Sequence, residues 1–271
     1  MKLLKILLLL IVPLNLNSQN TNEMAFAGVR TLVIDAGHGG RDPGALGKYV
    51  YEKTINLAIA LKLGKLIEEW FPDVNVLYTR KEDVSVDLNE RSNLANSNNA
   101  DLFISIHANS TENANARNST MGNETYIMGV HKSEDNLEIA MFENSSIKFE
   151  DNYEDKYEGF DPTNPESYIL FSLMQNEYLE QSLKIAEFIQ EEFQNGPVTR
   201  DRGVKQMGLI VLYKTVAPSV LTEVGFLSNP EEELVLMDEG NQQKIAECIF
   251  KAFKRYKEYM ENYAVEQYNG N

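Results

Sequence analysis

Two phrases decide how this chain folds: Val33-Ile34-Asp35-Ala36-Gly37-His38-Gly39-Gly40 and Leu102-Phe103-Ile104-Ser105-Ile106-His107-Ala108-Asn109. In each, a short apolar run rich in β-branched or aromatic residues ends at a histidine. Such a run reads as a buried strand. In an open α/β sheet, the residues that follow a strand emerge at its C-terminal edge, where sites form. The chain has 3 histidines in all, and two of them stand at strand ends. Imidazoles delivered to one sheet edge can converge on one point, as a metal site requires.

Working outward, strands and helices alternate. Residues 31–36 predict the first strand. Lys53 to Trp70 predicts a helix, with Ile55, Ile59, Leu63, Leu66, Ile67 and Trp70 on one face. Val74 to Tyr78 is a second strand, and Asp87 to Asn99 a short helix with Asp87 as its N-cap. Residues 102–106 make a third strand and Glu124 to Met128 a fourth; Leu209 to Leu212 and Ser219 to Val224 supply two more. Helices are expected over Glu166 to Phe193, Pro230 to Asp238 and Asn241 to Glu261. This alternation predicts an α/β fold: a single three-layer domain whose twisted, mostly parallel central sheet of about six strands is flanked by helices. A chain of 271 residues suits one such domain.

The ends read differently. Lys2 and Lys5 flank an apolar run from Leu3 to Leu14, followed by small and polar residues. Residues 1–18 therefore predict a secretory signal peptide, with the run too short and too interrupted by Pro13 for a comfortable membrane span. No cysteine near the expected cleavage point suggests a lipid anchor. Residues 19–30 read as a linker, 31–262 as the folded domain and 263–271 as a frayed tail. The chain reads as exported and not as an integral membrane protein. Formal net charge is -16, which disfavours nucleic acid and anionic lipid as partners. Cys248, the 1 cysteine present, leaves no internal disulfide and reads as an apolar core residue.

One stretch breaks the rhythm. From Ser133 to Glu166 the chain carries eleven acids against Lys148 and Lys156. Leu137 to Phe149 suggests a helix, and Asp151 to Pro165 an acidic, aromatic-bearing loop. A long insertion close to a site reads as a lid or a regulatory loop, and equally as a solvated surface excursion.

A hydrolytic zinc site takes three protein ligands and keeps a position open. His38 and His107 give two nitrogens. Glu52, just before the first apolar-periodic helix, is the candidate third; His131 is a weaker one. Gly37, Gly39, Gly40 and Gly44 let the backbone around His38 turn sharply and approach a ligand. Asp35 and Asp42 can orient an imidazole, and Asn109 can hold a substrate carbonyl or a neighbouring loop. Glu223 stands at the end of the apolar run from Ser219, where an acid is costly unless paired or used. Facing a metal, it would move a proton between water and a leaving nitrogen. Glu231, Glu232 and Glu233 suit the positive end of the helix after Pro230. There is no Gly-x-Ser-x-Gly elbow and no phosphate-cradling glycine loop.

Four motifs in order carry a resemblance: Asp35 to Gly40 with Asp42-Pro43-Gly44-Ala45; Glu52; Ser105 to Asn109; and Leu221 to Asn229. The chain resembles the zinc-dependent N-acetylmuramoyl-L-alanine amidases of the AmiC type over about Thr31 to Tyr259. Tyr78-Thr79-Arg80 and Leu88 to Asn96 also resemble family segments, which makes Arg80 and Arg91 candidate substrate-contacting or supporting residues. The resemblance implies one Zn2+ per chain held by His38, Glu52 and His107, with Glu223 as the catalytic acid-base. It implies hydrolysis of the amide between N-acetylmuramic acid and L-alanine in peptidoglycan, in wall remodelling and daughter-cell separation, in a Gram-negative-type periplasm. It further implies that residues 134–165 form an autoinhibitory insertion, with Glu143, Glu150 or Glu154 in the open zinc position, released by a partner resembling LytM-domain activators. Deleting 134–165 would then raise activity. Two other readings stay open: a peptidoglycan-binding protein without catalysis, and another wall zinc peptidase. A carboxypeptidase would need a cation such as Arg80, Arg91 or Arg202.

Overall fold

The structure, a computed structural model, describes residues 28–111, 113–130, 133–172 and 177–269. The expected signal peptide, nearly all of the linker and His131 lie outside the described residues. The strands are β1 (Thr31–Ala36), β2 (Asn75–Tyr78), β3 (Leu102–Asn109), β4 (Asn123–Met128), β5 (Asp201–Met207) and β6 (Ser219–Phe226). The helices, in chain order, are α1 (Glu52–Trp70), α2 (Leu88–Ser97), α3 (Glu134–Asn144), α4 (Tyr153–Lys156), α5 (Ile169–Ser172), α6 (Leu179–Phe193), α7 (Ile210–Tyr213), α8 (Pro230–Met237) and α9 (Glu239–Asn269). Two 3₁₀ turns, Ser145–Phe149 and Pro165–Tyr168, complete the insertion.

One six-stranded sheet runs in the order β2-β1-β3-β6-β4-β5. Its pairs are parallel except β4 with β6. β4 and β5 therefore run opposite to the other four strands. β3, β4 and β6 are buried along their whole length, as strands covered on both faces must be. Side chains alternate between two cores. Leu32, Ile34, Ile104, Ile106 and Val220 pack with Ile59, Leu63, Ile189, Ile249 and Phe253 of α1, α6 and α9. Val33, Phe103, Leu221 and Tyr126 face the other way, onto Ala95 of α2, Leu212 of α7, the insertion residues Ala140, Ile147 and Tyr157, and Tyr168 and Phe171 just after it. Cys248 is buried in the first core.

Three expectations are corrected. Leu209 to Leu212 is not a strand: α7 occupies Ile210–Tyr213, and β5 precedes it at Asp201–Met207. A short apolar run buried on all sides looks the same in either state. The helix expected from Glu166 is interrupted: Pro165–Tyr168 forms a 3₁₀ turn, and the long amphipathic helix begins only at Leu179. The last helix does not end at Glu261: α9 continues to Asn269, with Tyr263 stacked on Tyr259. Nothing from Val265 to Asn269 breaks a helix. Asp87 takes the N-cap position of α2, but its side chain makes no capping bond and pairs with Lys156 instead.

Candidate metal centre

Just beyond β1, Gly37 N donates to Ile106 O at 3.1 Å, which draws the end of β1 onto β3. A Cβ on Gly37 would sit 2.3 Å from His107 Nε2. Glycine there is what lets the two imidazoles close to a ring-centroid distance of 4.8 Å. His38 has φ 59, a left-handed conformation that costs a side-chain-bearing residue energy and is kept only where the surroundings enforce it. The enforcement is local: Gly39 and Asp42 exchange backbone hydrogen bonds of 2.9 and 3.1 Å. His38 Nδ1 donates to Asp42 Oδ2 at 2.7 Å, which leaves Nε2 as the free lone pair.

Glu52 opens α1 and is fully buried. Its Oε1 accepts from Asn56 Nδ2 at 2.9 Å and Ala108 N at 3.1 Å, and its Oε2 from Ala45 N at 2.8 Å. Its oxygens lie 3.1 Å from His38 Nε2 and 3.0 Å from His107 Nδ1. The fourth member comes from the insertion. Glu143, in the last turn of α3, places Oε2 3.0 Å from His107 Nδ1 and 3.4 Å from His38 Nε2. One donor atom from each of the four residues lies within 4.8 Å of the others, and all four residues are buried. His38 Nε2 and His107 Nδ1 nonetheless have no hydrogen-bond partner of proper geometry. Buried donors that crowd together without bonding one another fit an ion at their centre, and two imidazoles with carboxylates suit zinc.

Without an ion, protons balance the charge. Burial works to lower His38, but Glu52, Asp42 and Glu143 override it and hold the imidazole well above its usual range. Burial likewise opposes protonation of His107, and Glu143 and Glu52 push it up to about 10. Glu52 and Glu143 lie below the usual carboxylate range: the two histidines outweigh the burial that would raise them.

Glu223 sits one strand away, in register with His107. It is fully buried, and neither carboxylate oxygen has a partner. Burial first, and Glu143 next, hold it well above the usual carboxylate range.

Other expected residues are placed elsewhere. Asp35 does not bond an imidazole; it accepts from Arg91 Nη1 at 2.6 Å, Ser105 Oγ at 2.6 Å and Thr79 Oγ1 at 2.7 Å. Arg80 and Arg91 are buried and committed to the backbone. Arg80 donates to the carbonyls of Ala36, Gly37 and Lys53, and Arg91 to those of Ala36, His38 and Val86. They brace the His38 loop. Asn109 Nδ2 donates to Glu124 Oε1 at 2.6 Å. Glu150 stands outside the cluster, accepting from Leu88 N at 2.8 Å and the Tyr157 hydroxyl at 2.9 Å. Glu154 is exposed on α4. Glu232 and Glu233 do more than face a helix end: Glu232 accepts from Phe226 N and Gly122 N, and Glu233 from Tyr49 N. Sequence reasoning missed Glu124 and Lys205, and named Arg202 only as a cation a carboxypeptidase would need. The burial argument applied to Glu223 applies equally to Glu124, an acid inside Asn123-Glu124-Thr125-Tyr126-Ile127-Met128.

The fold is that of solved amidases. An N-acetylmuramoyl-L-alanine amidase from Clostridium difficile 630 superposes with a TM-score of 0.62 at 28% identity, covering 85% of this chain and 97% of that one. The CwlD amidase from Clostridioides difficile, solved in complex with the GerS lipoprotein, gives a TM-score of 0.62 at 30% identity over 85% and 99%. Residues 32–255 match the N-acetylmuramoyl-L-alanine amidase family, Amidase_3, and the chain belongs to it. Among relatives, AmiA of Escherichia coli K12 is 30% identical over 87% of this chain and 78% of its own length. YqiI of Bacillus subtilis, an uncharacterized protein, is 33% identical over 84% of each.

Proposed function

We propose that this peptidoglycan amidase is a zinc enzyme of the AmiC type that rests in a self-blocked state. The supporting observation is that the insertion supplies one of the four converging side chains. His38, Glu52 and His107 would hold the ion, and Glu143 would fill the remaining position. Zinc bound there supplies Lewis-acid polarisation of the amide carbonyl and an acidified water. Glu223, one strand beyond His107, takes the proton of the attacking water and returns it to the alanine nitrogen as the bond to the lactyl group breaks. Asp42 holds the His38 tautomer, and the Asn56 and Ala108 donors hold Glu52. Withdrawal of Glu143 opens the site and also removes the charge that, after burial, does most to raise Glu223.

By this reading residues 1–18 direct export, 19–30 link, 31–262 catalyse and 134–165 regulate. The enzyme works in a Gram-negative-type periplasm, in wall remodelling and daughter-cell separation. Activation falls to a protein that displaces α3, resembling the LytM-domain activators. Among the described residues no helix is long and apolar enough to cross a membrane. For a carboxypeptidase, buried backbone contacts remove Arg80 and Arg91 as the cation for a terminal carboxylate, which leaves Arg202.

The test is Glu143→Ala assayed on purified sacculi with zinc, with metal content measured alongside. We expect at least a tenfold higher rate with about one zinc per chain, and loss of that rate on adding Glu223→Gln. A folded, zinc-loaded Glu143→Ala protein no faster than wild type would sink the self-blocked state.

A further inference from the structure

A line of charged groups crosses one face of the sheet, and the chemistry above uses only one end of it. His107 of β3 is in register with Glu223 of β6, and Glu223 with Glu124 of β4. Lys205 of β5 is in register with Tyr126 of β4. Residues in register share a face, here the one that also carries the insertion. Between the pairs Asn123↔Asp201 and Thr125↔Val204 the register shifts. That bulge holds Arg202 and Gly203, whose φ of +80 suits glycine. Its effect is to aim Arg202 at Glu124.

Glu124 is fully buried. One oxygen accepts from Asn109 and the Tyr126 hydroxyl, and the other from Arg202 Nε at 3.0 Å and from Lys205 Nζ. One acid bonds both cations, while Glu232 also feels the charge of Arg202. Neutralising Glu124 needs a single cation. Arg202 gives it only Nε and lies over the Phe226 ring at 4.9 Å. Among the described residues neither Nη group of Arg202 makes a hydrogen bond. The side chains of Arg202 and Lys205 are 27% and 23% exposed, on the edge strand of the sheet.

We propose that Arg202, with Lys205, is a carboxylate-binding subsite that receives the free α-carboxylate of the second residue of the stem peptide. The proposal rests on the amidase reading. Adjacent strands lie about 4.8 Å apart, so Glu124 stands one strand beyond Glu223, and the heads of Arg202 and Lys205 reach back from the next strand to its carboxylate. Two residues of extended peptide span about 7 Å. From a scissile nitrogen at Glu223, a carboxylate on the second residue therefore comes within reach of those heads. A guanidinium with two open N–H groups matches a carboxylate in shape and charge.

The experiment uses two muramyl peptides that differ only at the second residue, one with the free α-carboxylate and one with its primary amide. They are assayed with the full zinc-loaded enzyme carrying Glu143→Ala to open the site, first as a parent that is wild type at both cations, then with Arg202→Gln, Lys205→Gln or Arg202→Lys added. Calorimetry measures binding of the two released peptides in parallel. The parent should prefer the free carboxylate about tenfold, mainly in KM. Arg202→Gln should erase the preference by slowing only the carboxylate substrate, Lys205→Gln should reduce it, and Arg202→Lys should restore part of it. The subsite is overturned if the parent does not discriminate, or if Arg202→Gln slows both substrates equally. Should neither substrate be cut, the amidase reading fails, and the two peptides' relative affinity still decides the subsite.

Discussion

Gly37 shows how far one missing atom reaches. Its lack of a Cβ lets His107 occupy the space beside the His38 loop, and with it the four donors meet. Gly37→Ala should displace the His107 ring, because the new carbon would lie 2.3 Å from Nε2. We expect at least a tenfold loss of zinc affinity, by analogy with lost ligand support, in a protein whose circular dichroism is unchanged. Metal titration against a chromophoric chelator measures it. The need for glycines around His38 was legible in the sequence. Their separate tasks were not, because those depend on which atoms of distant segments approach them. The same holds for the two aspartates: Asp42 orients His38 as spacing suggested, whereas Asp35, just as near in sequence, points back into the sheet toward Arg91.

At the level of elements, the insertion is fastened by one residue more than by its acids. Asn144 follows Glu143; its Nδ2 donates to Gly208 O at 2.8 Å and its Oδ1 accepts from Ile210 N at 2.9 Å. Removing that side chain leaves both backbone groups buried and unpaired, at a cost of about 1–3 kcal/mol. Asn144→Ala should therefore loosen α3 and raise the basal rate on sacculi several-fold, with faster hydrogen exchange confined to 134–149. An unchanged exchange pattern would contradict this. An acid-rich interruption could be read from composition. Which acid reaches the histidines could not, because it depends on where α3 ends and on the partners that hold Glu150 elsewhere. Leu209 to Leu212 was misread for a related reason: its neighbours, not its own pattern, set its conformation.

For the whole molecule, the insertion is part of the second core. Ala140, Ile147 and Tyr157 are buried in that core with β3, β4 and α7, so deleting 134–165 would strip apolar cover from the sheet as well as Glu143. Single substitutions test regulation more cleanly. The buried Asp35–Arg91 pair ties stability to pH. Burial would raise Asp35, but Arg91, Ser105 and Thr79 lower it below its usual value. A carboxyl depressed in the folded state adds stability above its unfolded pKa of about 3.9, and that stability is lost as pH falls through the folded value. Asp35→Asn should cost about 3–5 kcal/mol at pH 7, since Arg91 is left buried and unpaired. The gap to wild type should narrow below pH 4, as followed by urea melts across pH. The alternation of strands and helices, and the edge on which the site lies, were legible from β1 and β3 alone. The reversed direction of β4 was not, since strand polarity is a property of the path between segments.

That reversal sets where α3 starts. β4 begins beside Glu223 and ends at Met128, near the level of Phe103, at the opposite rim from the histidines. The chain then climbs back over the face through an 11-residue helix, about 16 Å long at 1.5 Å per residue. Glu143 rides at the far end of a lever that starts across the sheet at Ser133, and Asn144 is the pin beside it. A few degrees of tilt moves Glu143 by about 1 Å over that length, so a protein that pushes near Ser133 strains the pin from the far side without entering the cleft.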